Sequence, residues 1–209
     1  MSTLKKVLSQ KIDAHRPRIT KLVKQCGDVK LGDVTIAQAI GGARGVKCLV
    51  TDISYLDPFE GIRFRGLTIP ETFDALPKVP GSEYPFVEGF WYMLLTGDVP
   101  TMEQTLEVVE DWKKRAEVPQ YVYDVLNALP DDAHPMAMFS SAVLAMQRDS
   151  VFAKNYREGK FNKMTCWEDM YEDCNNMMAK LGPIGAYIYR KKYKNNEQIA
   201  ANPDLDMGG

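Results

Sequence analysis

The sequence predicts a mainly α-helical fold with a small β-meander near residues 33–66. Three observations carry that reading. From Thr68 onward apolar residues recur at helical spacing, segment after segment, with prolines and capping pairs between them. Only residues 33–66 hold short β-rich stretches bounded by glycine turns. Hydrophobic residues make up 45% of the 209-residue chain and charged residues 26%, enough apolar material to bury a core.

The first element is a helix. Leu4, Val7, Leu8, Ile12, Ile19, Leu22 and Val23 fall on one stripe of period 3.6. Thr3 can cap its start and Gly27 follows its end. Pro17 lacks the backbone donor a helix interior needs, so a kink or two short helices are expected there.

Strands are expected at Val34-Thr35-Ile36, at Cys48 to Leu56 and at Ile62-Arg63-Phe64. Gly41-Gly42 and Asp57-Pro58-Phe59-Glu60-Gly61 separate them as turns. Ile62 and Phe64 alternate with Arg63 and Arg65, which places two guanidiniums on one strand face.

Three capping boxes then mark helix starts: Thr68 with Glu71, Thr101 with Gln104, and Thr165 with Glu168. Helices are expected over 69–76, 85–96, 102–117, 119–129, 135–149, 151–158 and 166–192. The stretch from Phe86 to Leu95 is apolar on most sides and belongs in the core. Residues 136–146 carry no charge and several small side chains, so that helix is either deeply buried or half of a subunit interface. Gly182-Pro183 should bend the last helix. Residues 195–209 are polar and turn-rich and read as a loop or disordered tail.

Several function classes are excluded at this level. A net charge of −2 gives no electrostatic case for nucleic acid or an acidic membrane. The longest unbroken apolar run, Phe90 to Leu95, is far too short to span a bilayer. Cys26, Cys48, Cys166 and Cys174 form no close pair and lie near no histidine, which argues against a metal site and for reduced thiols.

The candidate chemistry is sparse. The turn Gly41-Gly42-Ala43-Arg44-Gly45 with Lys47 could receive a phosphate through backbone N–H groups and the Arg44 guanidinium, or be a plain structural turn. Arg63 and Arg65 could clamp a carboxylate; the plainer reading pairs them with Asp57 and Glu60 or with a neighbouring helix end. His134 opens a helix and is better read as a terminal helix residue than as an acid–base group; His15 lies on the first helix. The basic run from Tyr189 to Lys194 complements a helix C-terminus. Residue types and spacings alone give no convincing active site.

Longer segments carry a family signal. Gly41-Gly42-Ala43-Arg44-Gly45-Val46-Lys47 is followed by Leu56-Asp57-Pro58-Phe59-Glu60-Gly61-Ile62-Arg63-Phe64-Arg65-Gly66. Leu95 to Thr101, His134-Pro135-Met136, Trp167 to Cys174 and Ala179-Lys180-Leu181 come next in order. Together these resemble citrate synthases of the mitochondrial type, over essentially the whole chain. The resemblance implies an N-terminal portion of the helical large domain, with the β-meander at its start. It implies an acyltransferase of the tricarboxylic acid cycle that condenses acetyl-CoA with oxaloacetate and water to citrate and CoA, with no further cofactor. It also implies a homodimer through helices 135–149 and 166–192.

The family's catalytic histidines and aspartate, and its citrate-binding arginines, have no counterpart among these residues. The resemblance therefore implies no catalytic residue and no metal ligand here, and a chain inactive by itself. Arg44 matches a family arginine near the CoA phosphates. Lys163 stands near the position of a second family arginine that reaches CoA across the dimer. The alternatives are a 2-methylcitrate synthase portion using propionyl-CoA, or a non-catalytic helical assembly protein. A bacterial cytoplasm is the expected location, with the mitochondrial matrix as the alternative; no nucleic acid and no membrane are expected as partners.

Overall fold

The computed structural model describes residues 2–202 and 205–208. Pro203, Asp204 and Gly209, which belong to the expected tail, lie outside the described residues. The chain divides into two units: Met1–Pro85 with Gly89–Thr101, and Phe86–Glu88 with Met102–Gly209.

The first unit begins with helix α1 (Thr3–Cys26), which runs unbroken through Pro17. The cap is Ser2 rather than Thr3: its hydroxyl oxygen accepts from the Lys5 N–H at 3.3 Å. Only Leu4 of this helix is buried. The expected strand at 34–36 is replaced by a short helix, α2 (Ile36–Ile40). Thr35 and Gln38 form a reciprocal capping box that outweighs the β-branched composition.

The meander is real but shorter than expected. Strands β1 (Ser54–Asp57), β2 (Gly61–Phe64) and β3 (Leu67–Thr68) form one antiparallel sheet in the order β1-β2-β3. Residues 48–53 stay outside it, because only Ser54–Asp57 lies opposite the four residues of β2. The β1–β2 turn is set by Asp57, whose carboxylate accepts from the Phe59 and Glu60 N–H groups at 2.8 and 2.9 Å. Those two bonds hold the Asp57 carboxyl below its ordinary range.

Helix α3 (Ile69–Ala75) starts at the expected Thr68–Glu71 box. Helix α4 (Val87–Thr96) carries Tyr92 and Met93 into the core at 2% and 1% exposure, as its apolar run requires. Phe64 and Phe90 meet edge to face at 4.9 Å, tying the sheet to α4.

The second unit holds α5 (Met102–Arg115), α6 (Gln120–Ala128), α7 (Pro135–Met146), a 3₁₀ turn (Gln147–Asp149), α8 (Val151–Arg157) and α9 (Cys166–Tyr193). These fall within a few residues of the expected spans. The core joins α6, α7 and α9 through Val122, Leu126, Met138, Ala142, Ile184 and Ile188. Beside it, the Trp112 indole N–H donates to the Asn175 carbonyl oxygen at 2.9 Å, and the Asn175 amide donates to Tyr171 O at 2.7 Å. Asn175 is fully buried, so both bonds are needed to bring its polar amide out of water.

Helix α9 passes through Gly182-Pro183 without a break. The expected Thr165–Glu168 box is absent, since Thr165 has helical backbone angles and no side-chain cap bond. Asn162 does that work: its carbonyl oxygens accept from Met164, Thr165 and Cys166 N–H. Asp173 of α9 in turn fixes α8, accepting from the Val151 and Phe152 N–H groups at 2.7 and 3.1 Å.

Candidate functional site

The glycine turn after α2 is built by one side chain. The Gln38 carbonyl oxygen accepts from the Thr35 N–H at 3.0 Å, and the Gln38 amide donates to Arg44 O at 3.4 Å. The turn needs left-handed backbone at Gly42 and Gly45, and also at Ala43, where φ is 59°. That angle costs an alanine about 1 kcal/mol or more. Several amides expected to face a phosphate are already committed. Gly42, Ala43 and Val46 N–H donate to Ala39, Gln38 and Ala43 carbonyls. The Arg44 guanidinium is exposed and held by no ion pair among the described residues, and Lys47 beside it is exposed as well. The turn thus presents an exposed arginine beside a backbone that is partly committed to its own hydrogen bonds.

Lys163 lies in the other unit, in the loop between α8 and α9. It is exposed, and Asn162 fixes the backbone around it. Its neighbour Lys160 is paired with Glu158 at 2.6 Å.

The two arginines of the meander are structural. Arg63 forks onto the Glu60 carboxylate, with its Nε 3.1 Å from Oε2, and also donates to Gly66 O at 2.8 Å. The Glu60 carboxylate raises the Arg63 guanidinium further above its ordinary value. Arg65, at φ 51° just beyond β2, turns to the C-terminus of α4. It donates to Leu94 O at 2.6 and 3.0 Å and to Leu95 O at 3.2 Å. A guanidinium here satisfies helix carbonyls that have no partner of their own and opposes the negative end of the helix dipole.

His134 caps α7, its Nδ1 accepting from the Met136 N–H at 3.1 Å. His15 sits exposed on α1. All four cysteines are free thiols, and burial, with Asp173 adjacent, pushes the Cys174 thiol up. The described residues include no group of three or more His, Cys, Asp or Glu side chains placed to hold a metal ion.

A groove of about 540 Å³ lies along α7 and α9 between Val143, Leu144, Met146, Met177 and Lys180. Leu144 stands 74% exposed on its rim. Sequence reasoning missed one buried ionisable group, Glu88, at 1% exposure in the first turn of α4. The signal was available, because Glu88 is the only charged residue in the apolar stretch from Phe86 to Leu95.

The turn bearing Arg44, the Arg63/Arg65 meander and the α7–α9 pair lie in sequence segments with clear relatives. A family model described as "Citrate synthase, C-terminal domain" matches residues 42–209. The chain belongs to the citrate synthase family.

The mitochondrial citrate synthase 4 of Arabidopsis thaliana is 44% identical over 205 residues, 98% of this chain and 43% of the relative. The mitochondrial citrate synthase of Aspergillus niger is 42% identical over 204 residues, again 98% of this chain and 43% of the relative. Among solved structures, the citrate synthase of Pyrobaculum aerophilum matches with a TM-score of 0.65 at 23% identity, covering 85% of this chain and 43% of that one. That likeness establishes the fold. The chain spans less than half the length of these citrate synthases. The expectation of a bacterial cytoplasm is overturned by these relatives. Those of plant, fungus, insect and fish are all named mitochondrial.

Proposed function

We propose that this chain is the scaffold portion of a mitochondrial citrate synthase. In a protein of the relatives' full length it takes part in condensing acetyl-CoA with oxaloacetate and water to citrate and CoA. The observation that carries the reading is 44% identity to a mitochondrial citrate synthase over 98% of the chain.

The chemistry sets the division of labour. Deprotonating the methyl group of a thioester needs a positioned base and hydrogen-bond donors for the developing oxyanion. Of this segment's two histidines one is a helix cap and one is exposed on α1. Its contribution is the packed helical frame and, at Arg44, one cation for a CoA phosphate. Lys163 is proposed as a weaker point charge toward the same kind of group.

A homodimer through helices 135–149 and 166–192 is part of the proposal. The packing of α7 supports it. Met138 and Ala142 are buried within the unit, while Met136 and Leu144 on the opposite side stand 62% and 74% exposed.

The test is oxaloacetate-dependent release of CoA from acetyl-CoA. The 209-residue chain alone should give none above a no-protein control, and release by it would overturn the division of labour. In the full-length enzyme, Arg44→Ala should raise KM for acetyl-CoA about tenfold, the loss of a charged hydrogen bond worth about 1.5 kcal/mol. KM for oxaloacetate should hardly change. Unchanged acetyl-CoA kinetics would remove Arg44 from the site. Preference for propionyl-CoA over acetyl-CoA would move the reading to a 2-methylcitrate synthase.

A further inference from the structure

Gln38 is half-buried although Ile36, Ala37, Ala39 and Ile40 around it on α2 are exposed. The turn that carries Arg44 lies beside it: a Cβ on Gly45 would stand 3.8 Å from its Nε2. Gln38 holds that turn at two points. Its backbone carbonyl accepts from the Ala43 N–H at 2.8 Å, and its side-chain amide donates to Arg44 O at 3.4 Å. One residue of α2 thus brackets residues 43 and 44.

The side chain is itself fixed. Its Oε1 accepts from the Thr35 N–H at 3.0 Å and from the Thr35 hydroxyl at 3.2 Å. With the oxygen pinned, the amide nitrogen keeps a set direction. The residue type matters here. At the Thr68 box the same place is taken by Glu71, whose carboxylate accepts from Thr68 and has nothing to donate. At Thr35 the amide completes the cap and still has a donor for the turn.

The turn needs such a hold. Gly42, Ala43 and Gly45 have φ of 79°, 59° and 71°, and alanine resists that region. All three are exposed, so packing does not keep them in shape. A side chain presented from a backbone ordered in advance loses less freedom when it binds.

We propose that Gln38 is a positioning residue for Arg44: its amide, pinned through Thr35, holds the turn in the conformation from which the guanidinium meets a phosphate of CoA. This role rests on the reading of Arg44 given above. Gln38 acts through Arg44 and does not itself touch CoA.

Two variants separate the cap from the hold. Gln38→Glu keeps an oxygen for Thr35 but has no N–H for Arg44 O; Gln38→Ala loses both. In the full-length enzyme each should raise KM for acetyl-CoA about threefold, within the range of one neutral hydrogen bond. The kcat and the KM for oxaloacetate should stay unchanged. Placed in an Arg44→Ala enzyme, neither should add anything, because residues that act as one unit are not additive. In the 209-residue chain, the Ala43 amide should exchange with solvent about threefold faster in both variants, with helix content unchanged.

If Arg44→Ala raises KM for acetyl-CoA but neither Gln38 variant does, the positioning role falls and the Arg44 reading stands. A rise in Gln38→Ala alone would assign the effect to the cap and overturn the role. So would a rise that persists in the Arg44→Ala enzyme, which would mark a direct effect on CoA such as repulsion by the new carboxylate. Unchanged Ala43 exchange in both variants would show that the amide does not hold the turn. If Arg44→Ala itself leaves acetyl-CoA kinetics unchanged, the Arg44 reading fails, and the role of Gln38 toward CoA fails with it.

Discussion

Helices α1 and α9 are alike in sequence design and opposite in circumstance. Both are long, 24 and 28 residues, and both carry an internal proline. Both have an apolar stripe of helical period. Yet α1 buries only Leu4, whereas α9 buries Tyr171, Asn175, Ala179, Ile184 and Ile188. On α1, Ile19, Leu22 and Val23 stand 36% to 63% exposed. A stripe tells a helix which face is apolar; it does not supply the surface that covers it.

The prolines make the same point. An interior proline costs a helix about 3 kcal/mol, through a lost donor and a clash with the preceding turn. In α9 Ile184, next to Pro183, is fully buried, so tertiary burial offsets that cost. In α1 the carbonyl freed by Pro17 is that of Asp13, an exposed residue, and water can take it. Neither helix breaks, for two different reasons.

The contrast can be broken most strongly at its buried end. Ile184→Ala removes a fully buried side chain from the α6–α7–α9 core and should cost about 3 kcal/mol in urea unfolding. A loss below about 1 kcal/mol would mean that the α9 stripe is not the core it appears as in the packing. Next comes Asn175→Ala, which removes a buried acceptor of the Trp112 indole N–H and should cost about 2 kcal/mol. Its fingerprint is a changed Trp112 environment in near-UV circular dichroism. The smallest effect is expected on α1, where Leu22→Ala should change unfolding free energy by less than about 0.5 kcal/mol. A cost near that of Ile184→Ala would show that α1's stripe is covered in solution.

The same contrast marks what could be read in advance. The helices from Ile69 onward were legible because their signals are local: apolar spacing, the Thr68–Glu71 box, and prolines at their borders. The Arg65 contact with a helix end was legible as one of two plain readings, since a guanidinium beside a strand needs acceptors nearby. The Ile36–Ile40 helix was missed although Thr35 and Gln38 spell the same capping box that was recognised at Thr68. There the β-branched residues of 34–36 carry a strand signal that the cap overrides. Residues 48–53 have strand composition but no strand, because a strand exists only where a partner lies opposite. The Arg44 turn was legible as glycine-rich. That the Gly42 and Ala43 amides close back on α2 carbonyls was not, because that depends on how the backbone turns after Ile40.

By itself, then, the sequence determined the helical period, the Thr68–Glu71 cap and the family. Those are written in residues within a turn or two of each other, or in long runs shared with relatives. The tertiary structure decided which stripe becomes core, which arginine is left free, and what environment surrounds Glu88. Those depend on groups brought together from far along the chain: the Glu88 Oε1 accepts from the Met207 N–H across 119 residues of sequence. Burial and hydrogen bonding act through space, and no local pattern of residues records what a fold will place beside them.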